Sequence, residues 1–264
     1  TQPPEVYRTA SVEQLEKEVS TRDAAIQTLN AAVLITATTG GGKEGKVTTY
    51  TSFRGYIFVR KPRDLRVLLQ LPVIGSRALD MVSDGQQFTL LIPPRNRAIV
   101  GSNQVTKPSR NGLENLRPGV FFDSLLVPGV KPEEFVVLSE SRRVLAPEKG
   151  RRAAIEEPDY DLAVLKKREG NTMQLERLVH FSRITMLPFQ QDIFDDNGEI
   201  VTQATYDKYQ EFGGQQFPTL INIRRPLDEY ALKIDVTKLT LNEKLQDDQF
   251  ELKLPANIAV QRMD

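Results

Sequence analysis

The chain has 264 residues, 35 basic against 35 acidic side chains, one histidine, and neither cysteine nor tryptophan. No disulfide, thiolate nucleophile, Cys/His zinc site or paired-imidazole site can be built from it, and with zero net charge it has no global positive field to gather nucleic acid. At 39% hydrophobic it is long enough to bury a full core, and no run of about 18 apolar residues exists for a membrane-spanning helix.

Residues 1–10, opening Thr1-Gln2-Pro3-Pro4, read as an extended tether ahead of the first folded element. The expectation is that processing has removed something upstream, with a lipidated cysteine just before this lead as the anchor. An arbitrary boundary fits the same residues. Ser11 and Gln14 then fit a capping box. Val12, Leu15, Val19, Ile26 and Leu29 share one face at helical spacing, which predicts an amphipathic helix of about five turns over 11–30.

The period then changes to two. Residues 31–38, 47–60, 65–71, 77–83, 86–92 and 95–100 read as strands separated by short Gly/Pro/Asp turns, and connections this short imply an antiparallel meander. Alternation in 65–71 places Leu65, Val67, Leu69 and Leu71 on one face, with Leu68 apolar on the other. Such a sheet needs cover. The candidate is 112–138, broken by Pro118-Gly119, Pro128-Gly129 and Pro132 into short helical pieces and carrying Val120, Phe121, Leu125 and Leu126. It reads either as a fixed plug or as a lid over a cavity. A charged connector follows at 141–157, then strands at 159–168, 173–181, 183–194, 199–212, 217–225, 229–239 and 249–254, with Asp196-Asn197-Gly198 as a type I′ hairpin turn.

Three apparent chemical motifs fail on context. Gly40, Gly42 and Gly45 have dinucleotide-loop spacing, but a strand follows where a helix N-terminus is required. The cluster Asp192, Asp195, Asp196, Asn197, Glu199 lacks the first and last ligands of a calcium loop. His180 lies in an ordinary strand pattern with no nucleophile motif beside it. No metal, cofactor or catalytic residue is expected, and the chain is not read as an enzyme.

Three strings carry a resemblance: Gly55-Tyr56-Ile57-Phe58-Val59-Arg60-Lys61-Pro62, then Ser83-Asp84-Gly85 leading to Phe88 and Pro93, and finally Leu241-Asn242 through Phe250-Glu251-Leu252-Lys253-Leu254-Pro255 with Val260. In this order, behind an N-terminal helix, they resemble the bacterial periplasmic lipoprotein carriers of the LolA/LolB type. The resemblance covers 1–100 and 170–262, and leaves 102–168 as an insertion in a single domain over 11–264. It implies a mainly β, α+β fold, an incomplete antiparallel β-barrel with an N-terminal helix and short lid helices, whose apolar cavity accepts acyl chains.

The implied function is a cell-envelope carrier or acceptor of lipid or lipoprotein acyl chains, in the periplasm and anchored to the outer membrane as a lipoprotein. Tyr56, Phe58, Leu69, Leu90, Phe121 and Leu125 are the expected cavity lining. The family's lid-latching arginine before the motif proline is Lys61 in this chain, with Arg60 before it, so both are latch candidates. Lysine lacks the planar donor fork of arginine. Val73 and Ile74, between Pro72 and Gly75, are the candidate loop for a membrane or partner. Burying one 16-carbon chain removes about 12 kcal/mol of apolar exposure at ~0.8 kcal/mol per methylene, before ordering costs. The alternative is a non-transporting sensor or assembly module that binds an envelope protein on the same scaffold.

Overall fold

A computed structural model describes residues 7–40, 45, 47–103, 116–146 and 154–263. The tether reading of residues 1–6 and most of the Gly40–Lys46 loop lie outside these. The elements are α1 (Val12–Ala25), β1 (Thr28–Gly40), β2 (Val47–Thr49), β3 (Phe53–Arg60), β4 (Asp64–Gln70), β5 (Arg77–Ser83), β6 (Gln87–Ile92), β7 (Arg97–Ser102), α2 (Pro118–Leu125), β8 (Glu134–Leu145), β9 (Ile155–Lys167), β10 (Met173–Ser182), β11 (Pro188–Phe194), β12 (Ile200–Phe212), β13 (Gln215–Arg225), β14 (Tyr230–Leu241) and β15 (Ala259–Met263). The ladder order is β15-β7-β6-β5-β4-β3-β1-β14-β13-β12-β11-β10-β9-β8, with β2 paired to β1 off this path. The ladder runs from β15 to β8 without closing on itself among the described residues, a large open sheet of mostly antiparallel pairs. The one parallel pair described is β15 on β7.

The chain divides into two units. The first takes Thr1–Asp23 and Val127–Tyr206. Its core packs Leu15 and Val19 of α1 on Tyr160, Leu162, Val179 and Phe181 of β9 and β10. The capping box forms: the Ser11 N–H donates to Gln14 Oε1 at 2.8 Å and the Gln14 N–H to Ser11 Oγ at 3.3 Å. The helix is shorter than its apolar stripe. It stops at Ala25, and Leu29 belongs to β1.

The second unit takes Ala24–Leu126 and Asp207–Asp264. Cross-strand partners share a side of the sheet, so Ala31, Ile57, Val67, Met81, Leu90 and Ile99 line up across β1, β3, β4, β5, β6 and β7 on one face. All six are buried. Between β12 and β13 the turn residues Gly213 and Gly214 have φ of 56° and 81°, the paired positive angles of a primed hairpin turn. The Asp195–Glu199 turn differs from its expected form. Gly198 alone takes a positive φ, 79°, and Asp195 Oδ1 accepts the N–H groups of Asn197 and Glu199, so the turn is held by an aspartate side chain rather than by two left-handed residues.

Two further expectations change. The expected helical pieces of 112–138 reduce to α2 among the described residues, because Glu134 already begins β8. The described part of the expected charged connector at 141–157 is mostly strand: Arg142, Arg143 and Val144 stand opposite Pro158, Glu157 and Glu156 in the β8–β9 ladder. Residues 102–168 therefore supply α2, β8 and β9. The expected strand at 249–254 is absent, replaced by a 3-10 turn at Asp247–Phe250 and irregular chain.

Candidate ligand-binding site

The apolar face of the second unit is built by alternation. Leu65, Val67 and Leu69 of β4 are buried every second residue, beside Met81 of β5 and Phe88 and Leu90 of β6. Helix α2 packs on β5 and buries Pro118, Val120, Phe121, Ser124 and Leu125. Pro118 suits the first helical turn, where no N–H bond is lost. Each large apolar side chain buried this way contributes about 1.5–3 kcal/mol. One feature opposes the packing. Ser124 Oγ is buried with no hydrogen-bond partner, which costs about 1–3 kcal/mol.

The six residues expected to line a cavity divide between two faces. Leu69, Leu90, Phe121 and Leu125 are all buried in the second unit. Tyr56 and Phe58 are not on their face. Gly55, Ile57 and Val59 take the buried positions of β3, so Tyr56 and Phe58 point to the other side, where their rings stack at 6.2 Å and Tyr56 is 42% exposed. Gly55 is there for a close approach: a Cβ on it would lie 2.0 Å from the Leu68 carbonyl oxygen.

Arg60 shares the face of Tyr56 and Phe58, and its partners lie in the C-terminal segment. Its guanidinium bonds Asp64 at 2.8 Å, Asp247 Oδ1 at 2.7 Å and the Leu245 carbonyl at 3.3 Å, and covers the Phe250 ring at 4.8 Å. These carboxylates hold its pKa above the ordinary value. None of these contacts reaches α2, so Arg60 ties the C-terminal turn to β3 instead of latching that helix. The Lys61 N–H donates to the Gln27 carbonyl at 2.9 Å. The motif strings at Gly55–Pro62 and Leu241–Pro255 thus meet through Arg60. Asn242, at φ 61°, adds a second stitch, accepting from the Gln27 N–H at 2.7 Å and donating to the Ala25 carbonyl at 2.7 Å.

In the Ser83-Asp84-Gly85 turn, Asp84 Oδ1 accepts the Gln87 and Gln86 N–H groups at 2.9 Å each, which lowers its pKa, and Gly85 supplies a φ of 90°. Sequence reasoning missed Arg117. It is buried ahead of α2, lies 5.0 Å over the Phe88 ring and donates to the Leu116 carbonyl, and its burial lowers the guanidinium pKa.

Val73 and Ile74 stand at the tip of the β4–β5 hairpin, both highly exposed. Val73 has φ 72°, a strained conformation for a β-branched residue. The Leu71–Ser76 and Gly75–Leu71 backbone hydrogen bonds, 2.7 and 3.1 Å, close the turn beneath them.

In the first unit His180 lies between two carboxylates, Nδ1 2.7 Å from Asp161 and Nε2 3.1 Å from Asp192. Burial disfavours the charged ring, but the bonds to Asp161 and Asp192 outweigh it, and the pKa is pushed up to about 9. Burial would raise the Asp192 pKa, yet bonds from His180, Gln203 and Gln190 hold it below the ordinary value. Ser141 Oγ donates to Asp161 rather than to the imidazole. A protonated ring with both N–H groups engaged cannot serve as a base, so the arrangement rivets β9, β10 and β11 together. A polar cleft of about 590 Å³ in the same unit is lined by Tyr7, Glu140, Ser141, Arg142, Glu156, Pro158 and Arg183. Its charges pair within it, Arg142 with Glu156 at 3.4 Å and Arg183 with Glu140 at 3.3 Å.

No family model matches the chain, and no curated protein matches it by sequence. Solved structures do. A DUF1329 family protein from Desulfovibrio piger aligns with TM-score 0.55 at 17% identity, over 92% of this chain and 98% of that one. A LolA superfamily protein from Nitrosomonas europaea gives 0.52 at 12%, over 92% and 99%. The chain shares its fold with this LolA superfamily protein. An outer membrane lipoprotein-sorting protein domain from Vibrio parahaemolyticus also gives 0.52 at 12%, over 91% and 97%. Among the described residues no helix is long and apolar enough to cross a membrane.

Proposed function

We propose that the chain is a periplasmic carrier or acceptor of lipid or lipoprotein acyl chains, with the apolar face of β4–β6 and α2 as its binding surface. The carrying observation is the helix α2 itself: Phe121 and Leu125 are buried in the second unit beside an apolar sheet face, yet α2 spans only eight residues and carries the unbonded Ser124 hydroxyl. A short helix held by apolar contact, with one uncompensated polar group, is a cover that an alkyl chain can replace contact for contact. Leu69, Leu90, Phe121 and Leu125 then line the site. Tyr56 and Phe58 are left out, because β3 turns them to the other face. The exposed pair Val73 and Ile74 is the proposed contact with a membrane or partner protein, since a strained turn presenting two apolar side chains has no packing reason to persist. The likeness to a lipoprotein-sorting domain supports this reading through the fold.

The chain lacks tryptophan, so Phe121→Trp reports from one place. A spin-labelled stearate should quench its emission, and native mass spectrometry of the purified wild type should show retained lipid. A folded Phe121→Trp protein that is not quenched, with no lipid mass on the wild type, would overturn the carrier reading in favour of a protein-binding module.

A further inference from the structure

Strand β8 ends the ladder, paired with β9 on one side and with no described strand on the other. Its twelve residues run opposite β9 from Glu134–Lys166 to Leu145–Ile155 without a register shift. It contains no proline, lysine or bulge; of the devices that blunt an edge it has only the charges of Glu134, Glu140, Arg142 and Arg143. Part of the strand faces solvent: Phe135, Val137 and Val144 are exposed, as are the side chains of Glu140 and Arg142, while Val136 and Leu138 pack on the core of the unit. A regular edge of this length presents a row of backbone donors and acceptors to any strand that fits.

We propose that this edge pairs with the β8 edge of a second copy of the chain, antiparallel, about a two-fold axis at Ser141. The order Leu138-Ser139-Glu140-Ser141-Arg142-Arg143-Val144 complements its own reversal around that residue. With Ser141 opposite Ser141, Glu140 faces Arg142 twice and Leu138 faces Val144 twice, all on one side of the sheet; the two charges are exposed and would be shared with their partners within the chain, Arg183 for Glu140 and Glu156 for Arg142. On the other side Val137 faces Leu145. Opposite charges and apolar pairs directly across a ladder each favour pairing. Neighbouring registers lack this match: moving the axis by one residue sets Glu140 against its own copy or Arg142 against its own copy. A two-fold axis closes the contact, since the same patch serves both chains and each free edge is consumed. The pairing does not depend on the acyl-carrier reading, because β8 lies in the other unit from α2.

Sedimentation velocity should show the mass doubling as concentration rises. Glu140→Arg and Arg142→Glu should each be monomeric at concentrations where the wild type dimerises. Their equimolar mixture should dimerise again, because the first variant then carries arginine at both positions and the second carries glutamate at both, so every facing pair is of opposite charge. The chain has no cysteine, and residues directly opposite in an antiparallel pair come within disulfide reach. Ser141→Cys should therefore cross-link to itself under mild oxidation, whereas Ser139→Cys, opposite Arg143, should not. A wild type that stays monomeric at all concentrations, including one whose edge binds a foreign strand peptide, would overturn the proposal. Single variants that dimerise like the wild type, or a natively folded Ser141→Cys that fails to cross-link, would do the same.

Discussion

Raising the pH should remove a defined part of the stability through His180. Its pKa rises from the ordinary 6.5 to about 9 in the fold, because Asp161 and Asp192 hold the imidazolium against the cost of burial. At about 1.4 kcal/mol per tenfold change in proton affinity, the difference is worth about 3 kcal/mol. The native state binds this proton more tightly than the unfolded chain, so the stabilisation is complete below pH 6.5. It declines as pH rises from there and is gone above about 9. Asp192, with its lowered pKa, acts in the opposite sense and loses its contribution only as pH falls below the ordinary carboxylate range. Urea unfolding of the wild type at pH 6 and pH 9.5 should differ by about 3 kcal/mol more than it does for His180→Gln, which cannot gain the charge. At pH 6 the variant should itself be weaker by about 3–5 kcal/mol, since two partly buried carboxylates lose their shared cation. A wild-type pH dependence matching that of His180→Gln would refute the assignment of the charged ring as the rivet of β9, β10 and β11.

Three other perturbations test the fold around the candidate site. Gly55→Ala forces a methyl onto the Leu68 carbonyl and should cost about 1–3 kcal/mol in urea unfolding, far above an exposed glycine-to-alanine change; neutral behaviour would contradict the close approach of β3 and β4. Arg60→Met removes the ties to Asp247, Leu245 and Phe250, so hydrogen exchange should quicken in 245–254 while β4 keeps its protection; acceleration in 118–125 instead would show that Arg60 does latch α2. Val73→Gly relieves a positive φ at an exposed tip and should stabilise the chain by about 1 kcal/mol while weakening any liposome or partner binding through that loop; lower stability, checked by thermal unfolding, would argue against a strained turn kept for contact.

Alternation alone determined much of the second unit. Apolar residues at every second position in 65–71 settle which side chains of β4 are buried, since a strand has two faces and water favours one; in β5 and β6 the period alone does not, because Asp80, Ser83 and Leu91 are buried as well. The start of α1 was equally local, because Ser11 and Gln14 carry both halves of the capping box within one turn. Where an element ends, and what lies across from it, is not written in its own period. Leu29 continues the helical stripe, yet pairs with Leu241 and Val59 as part of β1. Tyr56 and Phe58 looked like lining because aromatic side chains are usually buried. The pairing of β3 with β4 gives the inner face to Gly55, Ile57 and Val59, and the lack of a Cβ on Gly55 permits the close approach to Leu68.

Strand β8 read as helical fragments and a charged connector because half of its side chains are polar and its partner lies beyond the 147–153 segment. Only the paired backbone of β9 makes it a strand. His180 likewise had no neighbour of consequence in sequence; Asp161 and Asp192 are 19 and 12 residues away. Faces follow from local periodicity, whereas partners follow from closing loops between remote segments, whose entropy depends on length and not on which residues meet. Burial could be read along the chain, but the histidine's charge, Arg60's tie and β8's open edge required the assembled sheet.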